Sequence, residues 1–112
     1  MSNMIQAAKE QISALTLAAY ERAAEKRLLP GGIPVSATVE IPKDASHGDY
    51  ASGFALAAAK AMKKNPRVIG QALLDHLDLN GSYFASAEMA GAGFLNFRLS
   101  PSWYGAVLSD IE

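Results

Sequence analysis

Hydrophobic residues recur along this chain with two periods, which predict its helices and strands. Steps of three and four residues are typical of amphipathic helices, and strict alternation is typical of half-buried strands. Proline and glycine interrupt both patterns and separate the segments. The predicted helices cover 3–28, 50–64, 66–77 and 101–112, and the predicted strands cover 35–41 and the two arms of a hairpin at 83–99.

The order of these elements is α-β-α-α-β-β-α, which predicts an α+β fold. The simplest arrangement is a two-layer sandwich, in which a small, mostly antiparallel sheet carries the helices on one face. The length of 112 residues predicts a single domain over 1–112 and is enough to bury a core. This arrangement leaves the other face of the sheet open.

The second strand of the hairpin places three chemically useful side chains on that open face. Gly91 and Gly93 supply the turn, because glycine adopts a positive φ without steric cost. Alternation then puts one set of residues toward the core: Leu95, Phe97 and Leu99. The opposite set is Phe94, Asn96 and Arg98. A ring, an amide and a guanidinium can stack on a base, pair with its edge and neutralise a phosphate. The alternative is that a helix covers Phe94 and that Arg98 is an ordinary solvated residue.

The composition of the chain excludes some kinds of site and limits how it could bind RNA. The absence of cysteine excludes disulfides and thiolate metal sites, and is typical of a reducing cytoplasm. No apolar run approaches the roughly 20 residues of a membrane helix, so no membrane partner is expected. The net charge is −1, whereas non-specific nucleic-acid binding requires many Lys and Arg contacts to phosphates. We therefore expect any RNA contact to be local, or to be supported by a partner domain.

His47 and Asp49 are the only pair that suggests acid–base chemistry. Histidine titrates near neutral pH and a carboxylate can orient it. No nucleophile or metal-ligand cluster accompanies the pair, so we predict no catalytic and no metal-binding residue. A structural loop is the favoured interpretation, and a contact of this loop with RNA or a neighbouring domain stays open.

Three ordered runs carry a family resemblance. VEIPKD at 39–44, SHGDYAS at 46–52 and AGAGFLNF at 90–97 resemble the N-terminal additional domain of arginyl-tRNA synthetases. The likeness covers nearly the whole chain, including the helix restart NPR at 65–67. Ala92 stands where the family turn commonly has proline, and Ala45 replaces a proline that often precedes the second run. Both changes loosen a loop without removing a group that could contact RNA.

The resemblance implies a tRNA-recognition domain that contacts the D-loop at the elbow of tRNA-Arg. The family uses an aromatic residue and an amide two positions later, which match Phe94 and Asn96. Gly91 and Gly93 would let the backbone approach the nucleotide, whereas a phosphate contact by Arg98 is inferred from its face alone.

The resemblance also implies that catalysis lies elsewhere in the parent enzyme. The family's class I catalytic domain uses ATP and Mg²⁺ and is followed by an anticodon-binding domain; both would be partners within the same chain. The catalytic signatures do not occur in these residues, so we expect no cofactor here and no ligation by this domain alone. The chain would be an excised domain or a free-standing relative.

Two other functions remain possible at this point. The Ala-rich helices and the Trp103–Tyr104 pair suggest a protein–protein interaction module without RNA contact. A small enzyme that uses His47 and Asp49 would need a pocket with convergent polar groups. Whether the ring and amide of the hairpin strand reach solvent separates these alternatives from RNA recognition.

Overall fold

The computed structural model describes residues 2–33, 35, 38–42 and 48–100. Three helices and four strands lie in this part of the chain. They are α1 Ser2–Glu25, β1 Val39–Glu40, β2 Tyr50–Ser52, α2 Phe54–Met62, α3 Pro66–His76, β3 Phe84–Ala90 and β4 Phe94–Leu99. The helix predicted over 101–112 and its Trp103–Tyr104 pair lie outside the described residues.

The sheet has the strand order β1-β2-β4-β3, and each neighbouring pair is antiparallel. The described helices pack on the face that carries Leu95 and Phe97, both fully buried. A Cβ built on Gly70 of α3 would lie 3.6 Å from Cδ2 of Leu95, so this helix lies close against the sheet. The ring of Phe84 meets that of Phe97 edge to face at 5.5 Å. The predicted α+β sandwich with an antiparallel sheet is confirmed.

Two helices end earlier than predicted, for the same reason. The prediction extends the first to residue 28 and the second to residue 64, whereas α1 ends at Glu25 and α2 at Met62. Arg27 and Lys63 then adopt left-handed φ values of 62° and 54°. After α1, Arg27 N–H donates to Ala24 O and Leu28 N–H to Ala23 O, which is a Schellman closure. Glycine is the usual residue at this left-handed position. Since Arg27 and Lys63 stand there instead, the sequence gives no local signal for the end of either helix.

The strand β2 replaces the first turn of the helix predicted over 50–64. Tyr50–Ser52 lies between β1 and β4, and all three residues are buried. A strand buried on both faces shows no alternation, so a three-residue segment cannot be distinguished from the start of a helix. The helix begins at Phe54, whose N–H donates to the Ser52 hydroxyl at 3.3 Å.

The strand predicted over 35–41 is shorter in the structure. β1 is Val39–Glu40, paired with Ser52 and Ala51, while residues 36 and 37 lie outside the described part. Alternation along the predicted strand puts Ile41 on the same face as Val39, but Ile41 is 55% exposed. It follows Glu40, the last paired residue of this edge strand, so the sheet ends before it.

Candidate functional site

The turn between β3 and β4 is built by two glycines with positive φ. Gly91 has φ 57° and Gly93 has φ 141°, and Gly93 N–H donates to Ala90 O at 3.3 Å. Both values lie in the region that favours glycine, so the predicted turn is confirmed. The turn fixes the register in which Phe94 faces Ala90 and Asn96 faces Glu88.

The two glycines have different surroundings. Gly93 is buried, and a Cβ on it would lie 2.8 Å from Cβ of Pro66 at the start of α3. Its missing side chain therefore allows close packing against this helix, so the space around it is not open to a nucleotide as the sequence suggested. Gly91 is exposed, with no atom within 4 Å of its Cβ position. Its carbonyl accepts a hydrogen bond from the guanidinium of Arg67.

Phe94 opens β4 on the face opposite the helices. Its side chain is among the exposed large hydrophobic residues, at 39% relative exposure. Gly53 lies beside the ring: a Cβ on it would be 3.8 Å from Cε1 of Phe94. Gly53 N–H donates to Thr38 O at 3.1 Å, which holds this backbone in place. The prediction that Phe94 reaches solvent is confirmed, and its aromatic surface is available to a stacking partner.

Asn96 lies on the same outer face but is only 4% exposed. The prediction that it faces solvent beside the ring is wrong. The residues that face it in the register are Ala51 and Glu88, and Gly48 lies over it, with a Cβ position 3.4 Å from Cβ of Asn96. Strand alternation predicts which face of the sheet a residue occupies. It does not predict that a segment distant in sequence, at Gly48, lies against that face at the position of Asn96.

Arg98 is partly exposed and pairs with an acidic neighbour. Its Nη2 lies 3.6 Å from Oε1 of Glu88, and the two side chains are 44% and 62% exposed. Such exposed pairs contribute about 0.2–1 kcal/mol, so the guanidinium can exchange partners. The cation that the sequence suggested for a phosphate therefore already has a carboxylate beside it.

Asp49 holds the sheet together beside the same strand. Its carboxylate Oδ2 accepts from Leu99 N–H at 2.9 Å, and its own N–H donates to Phe97 O at 2.8 Å. These bonds extend the pairing of β2 with β4, which supports the structural interpretation of this loop. Burial, reinforced by the charge of Asp49, raises the pKa of Tyr50, so its hydroxyl stays neutral at physiological pH. His47 lies outside the described residues.

A cavity of about 310 Å³ lies between α1 and the first two strands. Its buried hydroxyls are already bonded: Thr16 donates to Ile12 O at 2.9 Å, and Ser52 accepts from Phe54 N–H. None of its described lining residues is titratable. Across 2–33, 35, 38–42 and 48–100, no cluster of three metal-ligating side chains occurs. No helix in these segments combines the length and apolarity needed to cross a bilayer.

The sequence did not identify Gly53 and Arg67 as neighbours of the hairpin. Gly53 precedes α2, and Arg67 follows the Asn65-Pro66 helix start, where the Asn65 side chain accepts from Arg67 N–H at 2.8 Å. The helix start was visible as a cap followed by proline. Its approach to the hairpin turn depends on tertiary packing, for which the sequence has no local signal.

Comparison with known proteins shows which family this chain resembles. A family model described as "Arginyl tRNA synthetase N terminal domain" matches residues 3–99. The arginine–tRNA ligase of Symbiobacterium thermophilum is 39% identical over 109 residues, which are 97% of this chain and 19% of that protein. The arginine–tRNA ligase of Acetivibrio thermocellus is 33% identical over 112 residues, 100% of this chain and 20% of that protein. The chain thus spans about a fifth of these relatives.

Solved structures agree with this assignment. The arginyl-tRNA synthetase of Thermus thermophilus matches with a TM-score of 0.57 and 33% identity, over 88% of this chain and 15% of that one. The arginyl-tRNA synthetase of Plasmodium falciparum matches with a TM-score of 0.67 and 17% identity, over 89% of this chain and 17% of that one. At that lower identity, the second likeness shows the fold alone.

Proposed function

Because the chain belongs to the arginyl-tRNA synthetase N-terminal domain family, we propose that it is the part of an arginine–tRNA ligase that contacts the D-loop at the elbow of tRNA-Arg. The ATP- and Mg²⁺-dependent ligation of arginine is assigned to a catalytic domain of the same protein, and an anticodon-binding domain is the third element. This domain contributes to tRNA binding and not to the chemical step.

The exposed ring of Phe94 is the observation that carries the proposal. An aromatic side chain at a hairpin turn, 39% exposed and beside a glycine, is suited to stack on an unpaired base. Such stacking contributes about 1–3 kcal/mol per base in proteins that bind single strands. Gly91 adds an exposed stretch of backbone in the turn that precedes Phe94.

Asn96 is the second proposed contact, and it requires that its buried amide become accessible, which the sequence did not indicate. A side-chain amide can pair with a base edge, a contact of about 1–3 kcal/mol when it is bidentate. Since Asn96 is 4% exposed, its amide must become accessible when RNA binds. Phe94 needs no such change, so we assign the initial contact to the ring.

The experiment is aminoacylation of tRNA-Arg by the intact enzyme carrying Phe94→Ala, Phe94→Tyr or Asn96→Ala. We expect Phe94→Ala to lower kcat/KM by roughly 5- to 150-fold, mainly through KM, because the ring contributes binding and no chemistry. Phe94→Tyr keeps an aromatic surface and is the matched control, with activity near that of the original protein.

The outcomes separate the two residues. An unchanged kcat/KM for Phe94→Ala refutes the stacking contact. A loss with Phe94→Ala and none with Asn96→Ala leaves the ring as the contact and makes Asn96 a packing residue. An equal loss with Phe94→Ala and Phe94→Tyr points to disturbed packing instead of lost stacking.

A further inference from the structure

Four cationic side chains lie where α2 ends and α3 begins. We name them the junction cluster: Lys60, Lys63, Lys64 and Arg67. All four are exposed. They are four of the ten Lys and Arg residues of the chain, and no acidic residue occurs anywhere in 50–74. Since the net charge is −1, the rest of the chain carries −5. Positive charge is thus concentrated in one short segment of a slightly acidic domain.

The fold attaches this cluster to the hairpin turn. The guanidinium of Arg67 donates to the carbonyl of Gly91, and Pro66 packs against Gly93. Phe94 follows that turn directly, so Arg67 and the exposed ring border the same corner of the molecule. The three lysines lie in the segment that leads into Arg67. The sequence alone does not predict this proximity, because the two segments lie more than twenty residues apart in the chain.

Internal electrostatics do not account for the cluster. No member forms an ion pair with another described residue, in contrast to Arg98 with Glu88. Lysines near the end of α2 are favourable to its negative pole. That explanation fails for Arg67, which lies in the first turn of α3, where the helix dipole favours anions. Its hydrogen bond to the Gly91 carbonyl positions the guanidinium but does not neutralise its charge. The arrangement therefore suits an external anion.

We propose that the junction cluster binds phosphate groups of the tRNA that flank the nucleotide stacked on Phe94. The proposal rests on the proposed function, because the stacked base brings its own backbone to this corner. Affinity for nucleic acid comes largely from contacts between cations and phosphates. Because the junction cluster concentrates such cations locally, a domain with a net charge of −1 can still bind RNA. Arg67 also fixes the turn, and the three lysines are free to follow the backbone.

The test is the salt dependence of tRNA-Arg binding by the intact enzyme, measured by fluorescence anisotropy with a labelled transcript. Lys63→Gln/Lys64→Gln removes two charges of the cluster. Lys26→Gln/Arg27→Gln is the matched control: it removes two charges just after α1, at the end where Arg22 bonds to His76 O at the far end of α3. Thermal melting verifies that both variants fold.

We expect the slope of log K against log salt to fall by about 1.5 for the cluster variant, since each phosphate contact contributes about 0.7–0.9. The control variant keeps the original slope. Adding Lys60→Gln to the cluster variant removes one more contact and lowers the slope by a further 0.7–0.9 or so, about half of the first decrease. Equal slopes for the cluster variant and the control overturn the proposal.

Phe94→Ala in the same assay separates this inference from the proposed function. Loss of stacking weakens binding at every salt concentration and leaves the slope unchanged. A weakened Phe94→Ala with an unchanged cluster slope rejects the cluster and keeps the ring. A reduced cluster slope with full binding by Phe94→Ala supports the phosphate contacts and rejects the stacking. A change in melting temperature without a change in slope assigns the lysines to contacts within the protein and also rejects the cluster.

Discussion

The two faces of β4 differ in what surrounds their side chains. Leu95 and Phe97 on the inner face share one buried environment, whereas each of the three side chains on the outer face has a different one. Both inner side chains are fully buried beneath the helices. On the outer face, Phe94 is exposed, Asn96 is buried and Arg98 is paired with Glu88. Both faces follow the same alternation of side chains along a strand. Alternation therefore determines which face a residue occupies but does not determine what covers it.

The difference comes from which parts of the chain reach each face. Amphipathic helices cover the inner face, and their apolar periodicity is itself visible in the sequence. The outer face is completed by single residues. Gly48 over Asn96 and Gly53 beside Phe94 come from distant segments, and Glu88 next to Arg98 comes from the neighbouring strand of the hairpin. Such contacts have no periodic signal. The chemistry proposed for this domain depends on that less predictable face.

The largest effect expected from this comparison concerns stability. Phe97→Ala removes a fully buried ring that meets Phe84 edge to face, and should lower the free energy of unfolding by about 3–5 kcal/mol. Phe94→Ala removes a ring on the other face that is already partly in water, and should cost about 1 kcal/mol. Urea denaturation of the two variants measures both. Similar losses for both variants would contradict the assignment of the two faces.

The two turn glycines allow the same comparison on a smaller scale. Gly93→Ala places a methyl group 2.8 Å from Pro66 at φ 141°, and should cost about 2–4 kcal/mol through strain and overpacking. Gly91→Ala meets open space at φ 57°, and should cost about 1–2 kcal/mol, from its left-handed backbone alone. Urea denaturation gives the difference. If the two substitutions cost the same, the packing of the turn on α3 is not needed for stability.

The sequence predicts the parts of this fold that repeat a local rule. The α+β class, the helix start at Asn65-Pro66 and the turn at Gly91 and Gly93 all follow from period, capping or glycine geometry. The start of α3 at Pro66 agrees with the prediction to the residue. These elements are predictable because each depends on interactions between residues that are close in the chain.

The errors occur where tertiary contacts decide the structure. Tyr50–Ser52 is a strand because Phe97 and its neighbours pair with it, and nothing within the segment itself distinguishes it from a helix. Lys63 ends α2 by adopting a left-handed φ that its side chain does not favour. At the candidate site, alternation located the exposed ring, whereas the burial of Asn96 depends on a loop some fifty residues earlier.

The smallest expected effect decides whether Arg98 belongs with Phe94 as an RNA contact. Glu88→Gln removes the carboxylate that pairs with Arg98 and should change the free energy of unfolding by less than about 1 kcal/mol, because the pair is exposed. If Arg98 contacts a phosphate, removing this competing carboxylate should tighten tRNA-Arg binding by about two- to fivefold, the equivalent of one weak ion pair. Loss of negative charge from this face also attracts RNA at longer range. Glu40→Gln removes another exposed acid on the sheet and controls for that general effect.

A gain with Glu88→Gln that disappears when Arg98→Gln is added identifies the guanidinium as the contact. A gain equal to that of Glu40→Gln, or one that survives Arg98→Gln, leaves Arg98 as a partner of Glu88 and limits the phosphate contacts to the helix junction beside the turn.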